Sequence, residues 1–169
     1  MNIALIGYGK MGKAIEKIAE ERGHKIVLIC NSELSVKYAD FSDVEIAIEF
    51  SQPNLVLNHI DFCLENDIPV VVGTTGWNEH IEKVEEKVKQ EKGSLLHASN
   101  FSIGVNVFFE LNKKLAQLMS GKNAYTASIE EIHHVQKLDS PSGTAITLAD
   151  GILGSNEDYI SWVLGKGKV

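Results

Sequence analysis

Short apolar runs and amphipathic stretches alternate along the first hundred residues. Asn2 to Gly7 (NIALIG) is an apolar run that stops at glycine, as a strand buried on both faces does. Behind it Met11, Ala14, Ile15, Ile18 and Ala19 recur at helical spacing, with Lys13, Glu16, Lys17 and Glu20 on the other side, until Gly23 ends the helix. Lys25 to Cys30, Val44 to Phe50, Pro69 to Gly73 and Ser94 to Ala98 read as further strands. One intervening helix opens near Pro53 and uses Leu57, Ile60 and Leu64; another uses Ile81, Val84 and Val88. Repeated β-α units of this length predict an α/β fold with a doubly wound parallel sheet, because parallel strands need crossovers and those are right-handed.

The rhythm changes around Asn100. Ile103, Val107, Phe108, Leu111, Leu115 and Leu118 mark a long helix, Tyr125 to Ile132 alternates as a strand, His133 to Ser142 is a polar loop, and Ala145 to Leu153 reads as another helix. A domain change near Asn100 to Ser102 divides the chain into 1–101 and 102–169, the second part a partial α+β domain. That part is too short to enclose a core alone and is expected to lean on the first domain or on another chain.

Composition narrows the chemistry. The 169 residues are 44% apolar and 23% charged, which is globular, and the net charge of −7 opposes nucleic acid or an anionic membrane as partner. An anionic ligand therefore needs a local site. No apolar run is long enough to span a bilayer, and the N-terminus lacks a signal-peptide pattern. Cys30 and Cys63 lie in apolar segments without metal-type spacing, so a reducing cytoplasm is expected, with both thiols as small buried hydrophobes.

Two motifs carry candidate chemistry. Gly7-Tyr8-Gly9-Lys10-Met11-Gly12 is G-x-G-x-x-G between the first strand and the first helix. One glycine makes the tight turn, the next lets a pyrophosphate approach the backbone, and the third lets helix and strand pack closely, so a Rossmann-type dinucleotide site is expected; a purely structural turn is the other reading. The helix N-terminus, with about half a positive charge, suits a diphosphate. Asn31, not an acid, ends the second strand; it can bond a ribose hydroxyl without repelling a 2′-phosphate, and no arginine stands beside it. Lys10 and Lys37 are the nearby cations, Lys37 reading as a solvated surface residue, and NADPH or NADH stays open. The second motif holds His133, His134 and Lys137 within five positions, followed by Ser142-Gly143-Thr144 at a helix start. Cations and free helix N–H groups can hold carboxylates, and a histidine can deliver a proton to a carbon or nitrogen made electron-rich by hydride addition. A solvated surface loop is the plainer reading. No metal site is indicated, since adjacent histidines on a strand point oppositely.

With both motifs placed, the sequence resembles the dihydrodipicolinate reductase family, also called 4-hydroxy-tetrahydrodipicolinate reductases. Besides GYGKMG, the resemblance rests on EFS (49–51), VVGTTGW (71–77), SNFSIGVNV (99–107) and EIHHVQKLDSPSGTA (131–145), and it reaches about residue 150. It implies hydride transfer from NAD(P)H to C4 of a cyclic imine dicarboxylate and protonation at C3, in diaminopimelate and lysine biosynthesis. His133 is then the proton donor and Lys137 the second catalytic group, while His134, Ser142, Gly143 and Thr144 bind substrate. Gly7 to Gly12, Asn31, Phe50, Ser51, Gly73, Thr74, Thr75, Ser99, Asn100, Phe101 and Ser102 bind the cofactor. The family usually carries Asp where Glu49 stands, and it continues past this length with strands that build a tetramer. An open sheet edge, and a dinucleotide-binding module without activity, follow from that difference in length as the second reading. A third, an amino-acid semialdehyde dehydrogenase, predicts a nucleophilic cysteine, whereas Cys30 and Cys63 fall inside predicted elements.

Overall fold

The computed structural model describes residues 1–133 and 140–165, so His134 and Lys137 lie outside the described residues. The chain divides into two compact units, Met1–Ala98 and Ser99–Val169.

Unit 1 is a parallel sheet. Its strands are β1 (Asn2–Ile6), β2 (Lys25–Cys30), β3 (Ile46–Glu49), β4 (Val70–Val72) and β5 (Leu95–His97), in the order β2-β1-β3-β4-β5. Three helices connect them: α1 (Lys10–Glu21), α2 (Val56–Glu65) and α3 (Ile81–Glu91). Side chains alternate across β1. Ala4 and Ile6 enter a cluster with Val56, Ile60, Cys63 and Val84 of α2 and α3, while Ile3 and Leu5 join Ile15 and Ala19 of α1 on the opposite face. Burial on both faces is why Ile3 to Ile6 is unbroken by polar residues. The strand order turns back at β1, with β2 on one side and β3 on the other, so the carboxyl ends of β1 and β3 flank a topological switch point.

Cys30 and Cys63 are buried in this core. Burial pushes the Cys30 thiol up to about 11 and, with the Glu49 carboxylate adding to it, the Cys63 thiol to about 12. Neither supplies a thiolate at neutral pH, which removes the cysteine chemistry of the semialdehyde reading.

Unit 2 contains α4 (Ile103–Met119) and α5 (Gly143–Leu153). They pack through Phe109 and Ala116 on α4 and Ala145 and Ala149 on α5, all buried. Asn112 donates from Nδ2 to the Leu148 carbonyl at 2.9 Å, and a side chain at Gly151 would stand 3.2 Å from that same Nδ2. The stripe Ile103, Val107, Phe108, Leu111, Leu115 and Leu118 is exposed. Its periodicity marks the helix, but α5 covers a different face. The strand expected over Tyr125 to Ile132 is not present: residues 125–133 carry no strand. Alternation supplies the propensity, yet a strand needs a neighbour for its N–H and C=O groups. Here Ala127 gives its N–H to the Tyr159 hydroxyl at 2.8 Å and Tyr125 bonds back to the Lys122 carbonyl at 2.9 Å.

Among the described residues no helix is long and apolar enough to cross a membrane. Ile60→Ala in the fully buried α2 face costs about 3 kcal/mol. Leu111→Ala on the open α4 stripe costs less than about 1 kcal/mol. Urea unfolding of the two variants measures the contrast.

Candidate active site

The glycine loop joins β1 to α1, and its three glycines meet three different demands. Gly7 has φ +94°, and a Cβ there would lie 2.2 Å from the Phe50 carbonyl oxygen. At Gly12 a Cβ would lie 2.4 Å from the Gly7 carbonyl oxygen. Gly9 is different: nothing lies within 4 Å of its Cβ position. Gly7 and Gly12 thus serve close packing, and Gly9 leaves room for a ligand at the start of α1, whose N-cap is Gly9 itself with no side-chain cap. The residues present fit a dinucleotide diphosphate. Tyr8 turns away along the helix, its hydroxyl bonded to the Glu16 carboxylate and Lys13 Nζ 5.7 Å over its ring; Lys10 and Met11 are exposed.

Across the switch point, Phe50 and Ser51 follow β3. Phe50 donates its N–H to the Ile6 carbonyl at 2.8 Å, and its ring occupies the space a Gly73 side chain would need, 2.0 Å from that Cβ position. Ser51 is held from below. Glu49 is fully buried, and its Oε1 accepts the Ser51 N–H at 3.2 Å and the Ser51 hydroxyl, with His59 Nδ1 of α2 at 3.1 Å. Thr74 is buried, and its Oγ1 accepts the Ser51 N–H at 2.8 Å, while its carbonyl accepts the Trp77 indole N–H at 2.7 Å. Thr75 beside it is only partly buried. Glu49, His59 and Trp77 were not among the expected site residues. A carboxylate in an otherwise apolar strand, ten residues before a helical histidine, was the available signal.

At the end of β2, Asn31 is exposed, and its Oδ1 accepts the N–H groups of Glu33 at 2.8 Å and Leu34 at 3.0 Å. The carbonyl end of the amide is thereby used in the loop, and Nδ2 is the end that can donate to a ligand.

Unit 2 gathers the second set. Ser142 caps α5, its Oγ accepting the Ala145 N–H at 3.1 Å. The same residue gives its N–H to Glu131 Oε1 at 2.9 Å and its hydroxyl proton to Oε2. His133 Nε2 lies 2.8 Å from Glu131 Oε2. The Ser142 hydroxyl and N–H, with His133 as a lesser contribution, hold the Glu131 carboxyl down to about 2. Gly143 and Thr144, both partly buried, form the first turn of α5. Ser99 joins this group through Thr147 of α5, Oγ to Oγ1 at 3.2 Å. Asn100 and Ser102 brace the start of α4: Asn100 Oδ1 accepts the Ser102 N–H at 2.8 Å, and Ser102 caps the helix. Phe101 is exposed. A cavity of about 430 Å³ touches Glu131 and Pro141, but its other walls include Ala127, Ile146, Ile152 and Trp162, too apolar for a dicarboxylate.

The chain is similar throughout to known proteins. A family profile described as dihydrodipicolinate reductase, N-terminus, matches residues 1–101, and one described as dihydrodipicolinate reductase, C-terminus, matches residues 104–166. The likeness thus runs past residue 150, where recognisable motifs stop. The 4-hydroxy-tetrahydrodipicolinate reductase of Christiangramia forsetii is 51% identical over 98% of this chain and 70% of its own length. That of Staphylococcus carnosus is 38% identical over 90% of this chain and 64% of its own. Among solved structures, the dipicolinate-bound dihydrodipicolinate reductase from Paenisporosarcina sp. TG-14 has a TM-score of 0.62 and 25% identity, covering 99% of this chain and 71% of that one. Aspartate semialdehyde dehydrogenase II from Vibrio cholerae, at TM-score 0.53 and 10% identity, shares the fold.

Two outcomes follow from this geometry. Gly12→Ala, forced against a backbone carbonyl, costs about 2 kcal/mol or more, whereas Gly9→Ala stays within about 0.5 kcal/mol of the parent in thermal or urea unfolding. Glu131 sets an acid limb. Its carboxyl is lower in the folded chain than its ordinary 4.5, so it adds stability above that value and loses it as pH falls toward about 2. Urea midpoints measured between about pH 5 and 3 therefore fall less steeply for Glu131→Gln than for the parent.

Proposed function

The chain belongs to the dihydrodipicolinate reductase family, and from that we propose that unit 1 holds NAD(P)H while residues of unit 2 bind and protonate a small cyclic dicarboxylate. The reaction is reduction of 4-hydroxy-tetrahydrodipicolinate to tetrahydrodipicolinate, in diaminopimelate and lysine biosynthesis. One observation carries the assignment of the cofactor end: of the three glycines in the loop, only Gly9 faces open space, at an uncapped helix N-terminus. The nucleotide supplies the hydride when bound. Gly9 and the first turn of α1 receive its diphosphate, and Asn31 Nδ2 donates to the adenosine ribose. A donor suits a hydroxyl and a 2′-phosphate alike, and no carboxylate stands at Asn31 to repel the phosphate, so both NADH and NADPH are accepted. Phe50, Ser51, Gly73, Thr74 and Thr75 shape the cradle at the ends of β3 and β4, and Ser99 to Ser102 complete the cofactor set.

In unit 2, the N–H groups of Gly143 and Thr144 and the Thr144 hydroxyl take a substrate carboxylate at the positive end of α5, with Ser142 shaping the turn. His134 and Lys137 add donors, Lys137 as a cation for the dicarboxylate. His133 gives its proton to the carbon left electron-rich by hydride addition. The dipicolinate in the Paenisporosarcina enzyme is a planar dicarboxylate of the kind this arrangement would take. The same reading places the protein in a reducing cytoplasm, where Cys30 and Cys63 stay free thiols.

The test is titration of the protein with NADH and NADPH beside turnover with freshly made substrate. We expect the two dissociation constants to agree within about tenfold. Gly9→Ala should weaken both by about tenfold or more through lost backbone access. His133→Ala should lower kcat by about a hundredfold or more while cofactor binding survives, and Lys137→Ala should also raise KM for the dicarboxylate. Cofactor binding without any turnover by the parent would instead favour an inactive binding module. Equal turnover in His133→Ala would remove that residue from the mechanism.

A further inference from the structure

Glu131 precedes His133 by two residues, a spacing that puts side chains on one side of an extended chain. The two meet, Nε2 to Oε2 at 2.8 Å. The same carboxylate takes the Ser142 N–H at 2.9 Å and the Ser142 hydroxyl, so one acidic group links the histidine to the capping residue of α5. Lowered to about 2, this carboxyl is ionised at neutral pH. An ionised carboxylate accepts hydrogen bonds and gives none, so the nitrogen facing it carries a proton. The neutral His133 ring is thereby the Nε2–H tautomer, with Nδ1 bare.

We propose that Glu131 is a positioning residue for proton delivery: it fixes the tautomer and plane of the His133 ring and ties it to the start of α5, leaving Nδ1 as the nitrogen that does the chemistry. The inference rests on the reading of His133 as proton donor. In the step itself, Nδ1 of the imidazolium bonds its proton to the substrate carbanion carbon. The N–H electron pair stays behind as the Nδ1 lone pair, and the ring remains protonated at Nε2 on Glu131. The carboxylate keeps its charge throughout and faces the imidazolium whenever the ring reloads from solvent. The same bonds also pre-order the first turn of α5, so the proton donor and the N–H groups of Gly143 and Thr144 are held by one acid.

The measurement is the tautomer of the neutral His133 ring, read from two-bond proton–nitrogen spectra of histidine-labelled protein recorded across a pH series. The parent should show the Nε2–H form. An Nδ1–H ring in the parent overturns the proposal whatever the variants do. Glu131→Gln offers an amide that donates or accepts, so the ring should lose its single tautomer, and kcat should drop about tenfold to a hundredfold with KM for NAD(P)H within about twofold. Glu131→Asp should recover part of that loss. Ser142→Ala removes the hydroxyl bond to Glu131 and keeps the N–H bond, and the His133 tautomer should survive it even as stability falls. A folded Glu131→Gln protein with an unchanged ring and kcat within about twofold would reduce Glu131 to a helix cap. Should Glu131→Gln fail to fold, the parent spectrum and the Glu131→Asp kinetics decide alone. Failure of the functional reading looks different: His133→Ala then turns over normally, whatever tautomer the ring holds.

Discussion

Close approach of backbone at the switch point governs unit 1. The carbonyl of Phe50 stands where a Gly7 side chain would be, its ring where a Gly73 side chain would be, and the Gly7 carbonyl where a Gly12 side chain would be. One residue after β3 thereby locks the ends of β1 and β4, and the loop it presses on holds the start of α1. With three strands and a helix drawn this tight, Gly9 is the one glycine of the Gly7–Gly12 loop with open space around it, which is where the proposed cofactor would reach the backbone.

Beneath that packing lies a polar brace. Glu49 is fully buried on the face of β3 that packs against α2, and burying such a carboxylate is costly unless donors meet it. Oε1 finds three, from Ser51 and His59, and Oε2 has no partner among the described residues. The group spends buried polarity on holding the Phe50-Ser51 turn, with Thr74 bonding the same Ser51 N–H from β4. A turn held from both neighbouring strand ends keeps its shape without a ligand, so less ordering is left for binding to supply.

Unit 2 applies the same logic through a different acid. Glu131 is within reach of two other elements of the proposed chemistry, the histidine and the helix start, and charge-assisted bonds make that reach rigid. Both units thus place an acid behind residues of the proposed sites, where its hydrogen bonds fix local geometry. The apolar stripe of α4 stays exposed, because α5 packs on the Phe109 and Ala116 side of the helix.

Much of this was legible in residue order. Unbroken apolar runs such as IALI announce strands buried on both faces, helical periods between them announce crossovers, and the spacing of Gly7, Gly9 and Gly12 announces a tight strand-to-helix turn, because each depends only on local geometry. The alternation of Tyr125 to Ile132 misled for the same reason: pattern records propensity, whereas a strand requires a partner to receive its hydrogen bonds. Tertiary structure alone decided that Glu49 meets His59 and that Glu131 joins His133 to Ser142. Those pairings are directional contacts of 2.8 to 3.1 Å, and no periodicity along a chain encodes where a folded backbone brings a donor to an acceptor.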